Sequence, residues 1–265
     1  MQKFEFIELE KINSIGIIWL NRDEVRNAFN DLMINEIMHA LDHLNSDQGT
    51  KVIVFAGRGK VFCAGADLNW MKKMVNYSEQ ENYDDALNLA KMLNKIYVSK
   101  KPTVARVHGH AFAGGMGLLC ACDIAVANIE AEFCLSEVKI GLIPSTISPY
   151  VIRSLSPRAS SRYMITAEKF SAAEAYRLGM LHEICIPDKL DEKIDEILTS
   201  IVNNAPMAMS RTKKLINDFS YSLFTDAHID DTAARIAKIR ISKEGQVGIN
   251  SFLNKSKPNW IDNSE

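Results

Sequence analysis

A glutamate set among apolar residues and a glycine turn without side chains are the two places in this sequence where chemistry can sit. The glutamate is Glu137, in "EFCLSEVKIGLIP", followed by Val138 and the apolar residues of 140 to 143. A carboxyl group in such surroundings holds its proton more tightly than one in water, which suits it to proton transfer. The plainer alternative is a surface glutamate paired with Lys139. The turn is "AFAGGMGLLCACD", residues 111–123, with Gly114, Gly115 and Gly117 close together and no charge before Asp123. Backbone N–H groups at a helix start lack internal acceptors and are strengthened by the helix dipole. Such a turn can offer main-chain donors to an oxygen on which negative charge develops.

An echo of that turn lies fifty residues upstream. "VFCAGADL" (61–68) aligns without gaps on "AFAGGMGL" (111–118), each a strand-like run, a small-residue turn and a helix start. A repeated strand–turn–helix unit follows, and Ala66 and Gly114 are the positions from which two donors can converge on one oxygen. Tight helix–strand packing is the alternative use of such glycines.

Other chemistries find less support. A dinucleotide turn needs G-x-G-x-x-G, but Gly115 and Gly117 are followed by Cys120. Neither a Walker A sequence nor a G-x-S-x-G elbow occurs. His108 and His110 are expected on one face of a strand, without the Cys, Asp or Glu neighbours of a metal site, so no metal is expected. A net charge of −2 and no run of Lys and Arg argue against nucleic acid as a partner. The five cysteines, 63, 120, 122, 134 and 185, read as free thiols in a reducing compartment. With no apolar run of membrane-spanning length and no signal-like start, a cytoplasmic protein without membrane contact is expected.

The elements that must hold these residues alternate. "IGIIWL" (15–20), "KVIVFAG" (51–57) and "TVARVHG" (103–109) read as strands. Between the first two, Asn30 caps a helix whose Ile34, Ile37, Met38, Leu41 and Leu44 share a face. A second helix is predicted over about 78–99, which makes the core α/β with crossover connections. Further on, "SAAEAYRLG" carries a capping box, Ser171 with Glu174, and a stop at Gly179. "LHEICIP" reads as a strand, and about 188–254 as helical, broken around Pro206. A core over 1–195 and a helical region over 196–265 are expected.

Taken together, "EVRNAFN", "VFCAGADLNWM", "AFAGGMGLLCACDIAVA", "FCLSEVKIGLIP" and "TAEKFSAAEAYRLGMLHEI" resemble, in order and spacing, the signature segments of the enoyl-CoA hydratase/isomerase (crotonase) superfamily. The resemblance covers nearly the whole chain. It implies a spiral of β-β-α turns followed by C-terminal helices that build a homotrimer or a hexamer. It also implies an acyl-CoA thioester substrate, whose carbonyl sits between the N–H groups of Ala66 and Gly114, with Ala64, Gly65, Asp67, Leu68 and Gly117 around it. No cofactor is implied beyond the coenzyme A of the substrate itself. Arg26, Asn27 and Ala28 match the segment that grips CoA, and Phe252 and Lys255 resemble a pair that reaches its nucleotide from a C-terminal helix, often a neighbour's.

One position departs from the pattern of two-carboxylate hydratases. The first glutamate falls on Gly117, and only the second, Glu137, is present. A single glutamate suffices for moving a double bond from the 3- to the 2-position, whereas hydration gains from a second group. A branch that hydrates branched glutaconyl-CoA esters, such as 3-methylglutaconyl-CoA, resembles this chain more closely and shares that glycine. In it, the hydroxyls of Ser145, Thr146 and Ser148 would meet the substrate's second carboxylate. The sequence therefore predicts an enoyl-CoA hydratase of such an ester. A general short-chain hydratase, a single-glutamate isomerase and a non-catalytic acyl-CoA binder are the alternatives.

Overall fold

A computed structural model describes residues 4–221 and 223–261. Its main sheet has six strands in the order β1 (Ile7–Ile12), β2 (Ile15–Leu20), β3 (Val52–Gly57), β4 (Thr103–Val107), β6 (Ile124–Asn128) and β9 (Glu183–Cys185). Only the β1–β2 hairpin is antiparallel; every other pair in this sheet is parallel. Parallel strands need covered crossovers, and all six residues of β3 are buried. The helix α1 (Asp31–Ser46) joins β2 to β3, and α3 (Glu79–Tyr97) leads towards β4. Asn30 accepts from the Met33 N–H, the cap the sequence predicts, and α3 starts near the expected residue 78, where Ser78 forms a full capping box with Glu81.

A second, small sheet stands beside the first: β5 (Ala111–Phe112), β7 (Glu132–Cys134) and β8 (Phe170–Ser171). Two windings, β4 to β5 and β6 to β7, thus give a strand to each sheet, the spiral architecture that the resemblance implies. The short α2 (Leu68–Met74) and α4 (Gly114–Ala121) follow the two similar turns. After α5 (Ser148–Thr166) and α6 (Ala172–Arg177), the chain ends in α7 (Leu190–Val202), α8 (Pro206–Phe219), α9 (Asp226–Arg240) and α10 (Lys243–Leu253).

Residue 195 falls inside α7. Leu190, Ile194, Leu198 and Ile201 of that helix close one face of the sheet against Val52, Val54, Val104 and Val126. The helices beyond it are tied down by Lys213 of α8. Its buried Nζ donates to Asp123 Oδ2 at 2.8 Å and to the Ile96 carbonyl at 3.3 Å.

Several local expectations are corrected. The C-terminal helical stretch breaks between α8 and α9 and between α9 and α10, as well as at Pro206. The Ser171 hydroxyl accepts from the Glu174 N–H, but the Glu174 carboxylate does not complete a capping box, because Arg177 and Tyr163 hold it. His108 and His110 lie in the connection between β4 and β5, not in a strand. His108 Nε2 pairs with the Gly59 carbonyl and His110 Nδ1 accepts from the Glu132 N–H, so the two rings serve different neighbours. Among the described residues, no helix is long and apolar enough to cross a membrane, and no cluster of His, Cys, Asp or Glu is arranged to hold a metal.

Candidate active site

The two similar turns meet through their main chains. The Phe29 N–H donates to the Gly65 carbonyl at 2.7 Å, and the Asp67 N–H to the Phe29 carbonyl at 2.8 Å, bridging Phe29 to Ala66. The Phe112 N–H donates to the Cys63 carbonyl at 2.9 Å, bridging Cys63 to Ala111. The Ala113 N–H then donates to the Cys134 carbonyl at 2.9 Å. Four chain segments are thereby laid edge to edge.

Gly65 sits where these segments crowd. Its φ of +96° is left-handed, and a Cβ there would stand 3.0 Å from Ala113 Cβ and 3.6 Å from the Gly114 nitrogen. Ala113, at φ +45° and ψ −117°, is a strained residue immediately before α4. The result is two adjacent N–H groups, Ala66 and Gly114, neither of which donates to any of the described residues. Ala66 is exposed and Gly114 half-buried, so both remain open to a ligand. An oxygen between them would receive two preorganised donors, one at the start of α4.

Around this pair the structure gathers most of the expected residues. The Ala64 N–H donates to the Arg26 carbonyl at 3.0 Å. Arg26 is exposed and, like Asn27, left-handed, while Ala28 is buried. Asn27 is fully buried and braces the loop, donating to the carbonyls of Arg58 and Val61 and accepting from the Arg22 N–H. Leu68 stands exposed at the start of α2. The Asp67 carboxylate holds the turn that carries Ala66: its Oδ1 accepts from the N–H groups of Asn69 and Trp70, and its Oδ2 from Arg22 at 3.0 Å.

Glu137 opens a 3-10 turn, Glu137–Ile140, three residues beyond Cys134. Its Oε2 is buried and has no partner among the described residues. Burial pushes the carboxyl above its ordinary value, only partly offset by its own backbone N–H. An unpartnered, partly dehydrated carboxyl is suited to moving a proton at a group polarised by main-chain donors.

Gly117, one turn beyond Gly114, is buried against Ile147, the residue that precedes α5. Ser145 is exposed, its carbonyl accepting from the Ser148 hydroxyl at 2.9 Å. Phe252 and Lys255 are not brought to this ledge within the chain. Phe252 is 83% exposed at the end of α10 and borders a cavity of about 1080 Å³ with Asp123, Arg153 and Lys213, beside the far end of α4.

Sequence reading passed over Phe29, Arg22 and Ile147. The Phe29 ring packs on Gly114 and Arg22 clamps Asp67. Phe29 lies inside the matched segment "EVRNAFN" and Arg22 two residues before it, a local signal that was present. Ile147 lies between two serines that were singled out, and only the folded contact with Gly117 reveals it.

The sequence matches the enoyl-CoA hydratase/isomerase family description over residues 10–263. It is 30% identical to the mitochondrial enoyl-CoA hydratase of Pongo abelii, an alignment covering 98% of this chain and 89% of that protein. The structure of an enoyl-CoA hydratase from Shewanella pealeana superposes with a TM-score of 0.95 at 39% identity, covering 97% of each chain. The Pseudomonas aeruginosa protein AtuE superposes with a TM-score of 0.93 at 31% identity, covering 97% of this chain and 100% of that one.

Proposed function

The chain belongs to the enoyl-CoA hydratase/isomerase family, and from that membership we propose that it is a lyase adding water across the 2,3 double bond of a branched, glutaconyl-type acyl-CoA such as 3-methylglutaconyl-CoA. The observation that carries the chemistry is the pair of open N–H groups at Ala66 and Gly114 together with the buried, unpartnered Glu137 carboxyl oxygen, three residues beyond the Cys134 carbonyl that accepts from the Ala113 N–H.

Water attacks C3 and gives a proton to the ionised Glu137 carboxylate. The electrons of the double bond move onto the thioester oxygen, where the Ala66 and Gly114 N–H groups hold the enolate. Glu137 then returns the proton to C2. One carboxylate serves both transfers, which is consistent with Gly117 contributing none. A donor of this kind supplies about 2.7–4 kcal/mol of transition-state stabilisation, and a positioned acid–base group about 10²–10⁴-fold.

The exposed Ser145, with Thr146 and Ser148 beside it, supports recognition of a second carboxylate on the substrate. Arg26, Ala28 and Ala64 form the ledge for the CoA end. Phe252 and Lys255 would reach the nucleotide of CoA bound to a neighbouring subunit. Exposed apolar residues on the C-terminal helices, among them Ile229, Ile236, Ile249 and Leu253, support self-association as a homotrimer or hexamer. The five free thiols support a reducing compartment, the cytoplasm.

Turnover of 3-methylglutaconyl-CoA, crotonyl-CoA and a 3-enoyl-CoA, compared side by side, tests the reading. A kcat/KM at least about tenfold higher for the glutaconyl ester, worth ~1.4 kcal/mol, supports it. Bond migration without hydration would make Glu137 an isomerase base, the reading that a one-carboxylate site also favours. No turnover of any of the three would leave an acyl-CoA binder.

A further inference from the structure

Gly114 and Gly117 are three residues apart in α4 and so share one face of it, one turn apart. A Cβ on Gly117 would overlap the Ile147 Cγ2 methyl and come within 2.7 Å of Ile147 Cβ, while Ile147 Cα would lie at 3.6 Å, an ordinary contact. Ile147 is 2% exposed, and the helix it introduces, α5, packs on the 3-10 turn of Glu137. The volume beside the donor helix is therefore filled by a hydrocarbon side chain.

We propose that Ile147 is a specificity-determining residue of this site: it excludes from the α4 face both a second carboxylate and the water such a group would hold, and so favours acyl groups that bring a carboxylate of their own. The inference deepens the proposed hydration and rests on it. Water approaching C3 must accept or donate hydrogen bonds to be oriented, and the methyl groups of Ile147 offer neither. A substrate carboxylate two carbons beyond C3 can supply that contact. A plain linear chain cannot, and its water then depends on Glu137 alone.

Three variants test this: Ile147→Ala, Gly117→Glu, and Gly117→Glu combined with Ile147→Gly. Glycine is needed in the pair because an alanine at 147 would retain the Cβ that stands 2.7 Å away. Thermal melting reports folding, and hydration of crotonyl-CoA and 3-methylglutaconyl-CoA reports preference. Gly117→Glu alone is expected to melt well below the unmodified protein. The pair is expected to recover much of that loss and to lower the glutaconyl-to-crotonyl ratio of kcat/KM by about tenfold or more. Ile147→Ala is expected to shift the ratio in the same direction.

A paired variant as unstable as Gly117→Glu would overturn the proposal, because Ile147 would not be the obstruction. So would a ratio within about twofold of the starting value in folded variants. Failure of the unmodified protein to hydrate either ester would instead remove the premise, and it is seen before any substitution is made.

Discussion

The Arg22 Nη2 and the Asp67 Oδ2 meet at 3.0 Å, with both side chains almost entirely out of water. Asp67 caps α2 one residue after the Ala66 donor, and Arg22 also donates to the Ala28 carbonyl at 2.7 Å. This ion pair thus fastens the first donor turn to the segment expected to grip CoA. Removing one member leaves a buried charge alone.

Asp67→Ala is accordingly expected to cost about 3–5 kcal/mol in urea unfolding. Replacing both members by apolar residues should cost much less. Burial by itself raises the Asp67 pKa, but the Trp70 and Asn69 N–H groups and the Arg22 guanidinium outweigh it and hold the carboxyl below its usual value. Its contribution to stability is therefore complete above the ordinary carboxylate pKa and is lost as pH falls through the folded-state value. In Asp67→Asn, the part of acid destabilisation in that window should disappear.

Glu137 behaves in the opposite sense. Its folded-state pKa is raised by burial, so the group favours the folded state most below its unfolded pKa, and the benefit fades as pH rises through the folded value. Glu137→Gln should raise the melting temperature at pH 8 and change it little at pH 4. The same variant should lower kcat by about 10²–10⁴-fold. In the unmodified enzyme, kcat/KM should climb with pH to a midpoint above the ordinary glutamate value, since the base acts when ionised.

Gly65→Ala addresses the donors directly. A methyl group at φ +96° would press on Ala113 Cβ at 3.0 Å and on the Phe112 carbonyl oxygen at 3.2 Å. Strain of about 1–3 kcal/mol is expected in the melt. Because the two turns would be pushed apart, kcat should fall by about 10²–10³-fold while KM changes little.

Lys213 is the test of how the C-terminal helices are held. Lys213→Ala strips the buried pair with Asp123 and two backbone contacts. A loss of about 3 kcal/mol is expected, at the low end for a broken buried pair because Asp123 keeps some solvent. Limited proteolysis should cut first between α7 and α8.

The spiral was legible because its parts repeat locally. Asn30 announces a helix start through its own side chain, and the 61–68 and 111–118 turns resemble each other along their length. Short strands were less legible: β1, β5, β6 and β7 are defined by pairing partners, not by their own periodicity. The histidines misled for the same reason, since alternation across Gly109 looks like a strand until the chain turns. At the site, the donors and Glu137 could be singled out because their residue types carry the chemistry. The contact between Gly117 and Ile147 could not, because the fold of the residues between 117 and 147 decides which side chain fills the space left by a missing one.

The donor pair is set by hydrogen bonds from Phe29 to Gly65 and from Phe112 to Cys63, main chain to main chain. No substitution except proline removes a backbone N–H, so most drift in sequence leaves this charge-stabilising element in place. Walls such as Ile147 and Ser145 enjoy no such protection. A lineage built on this fold can therefore exchange one acyl group for another by trading side chains, without having to reinvent the step that makes the thioester reactive.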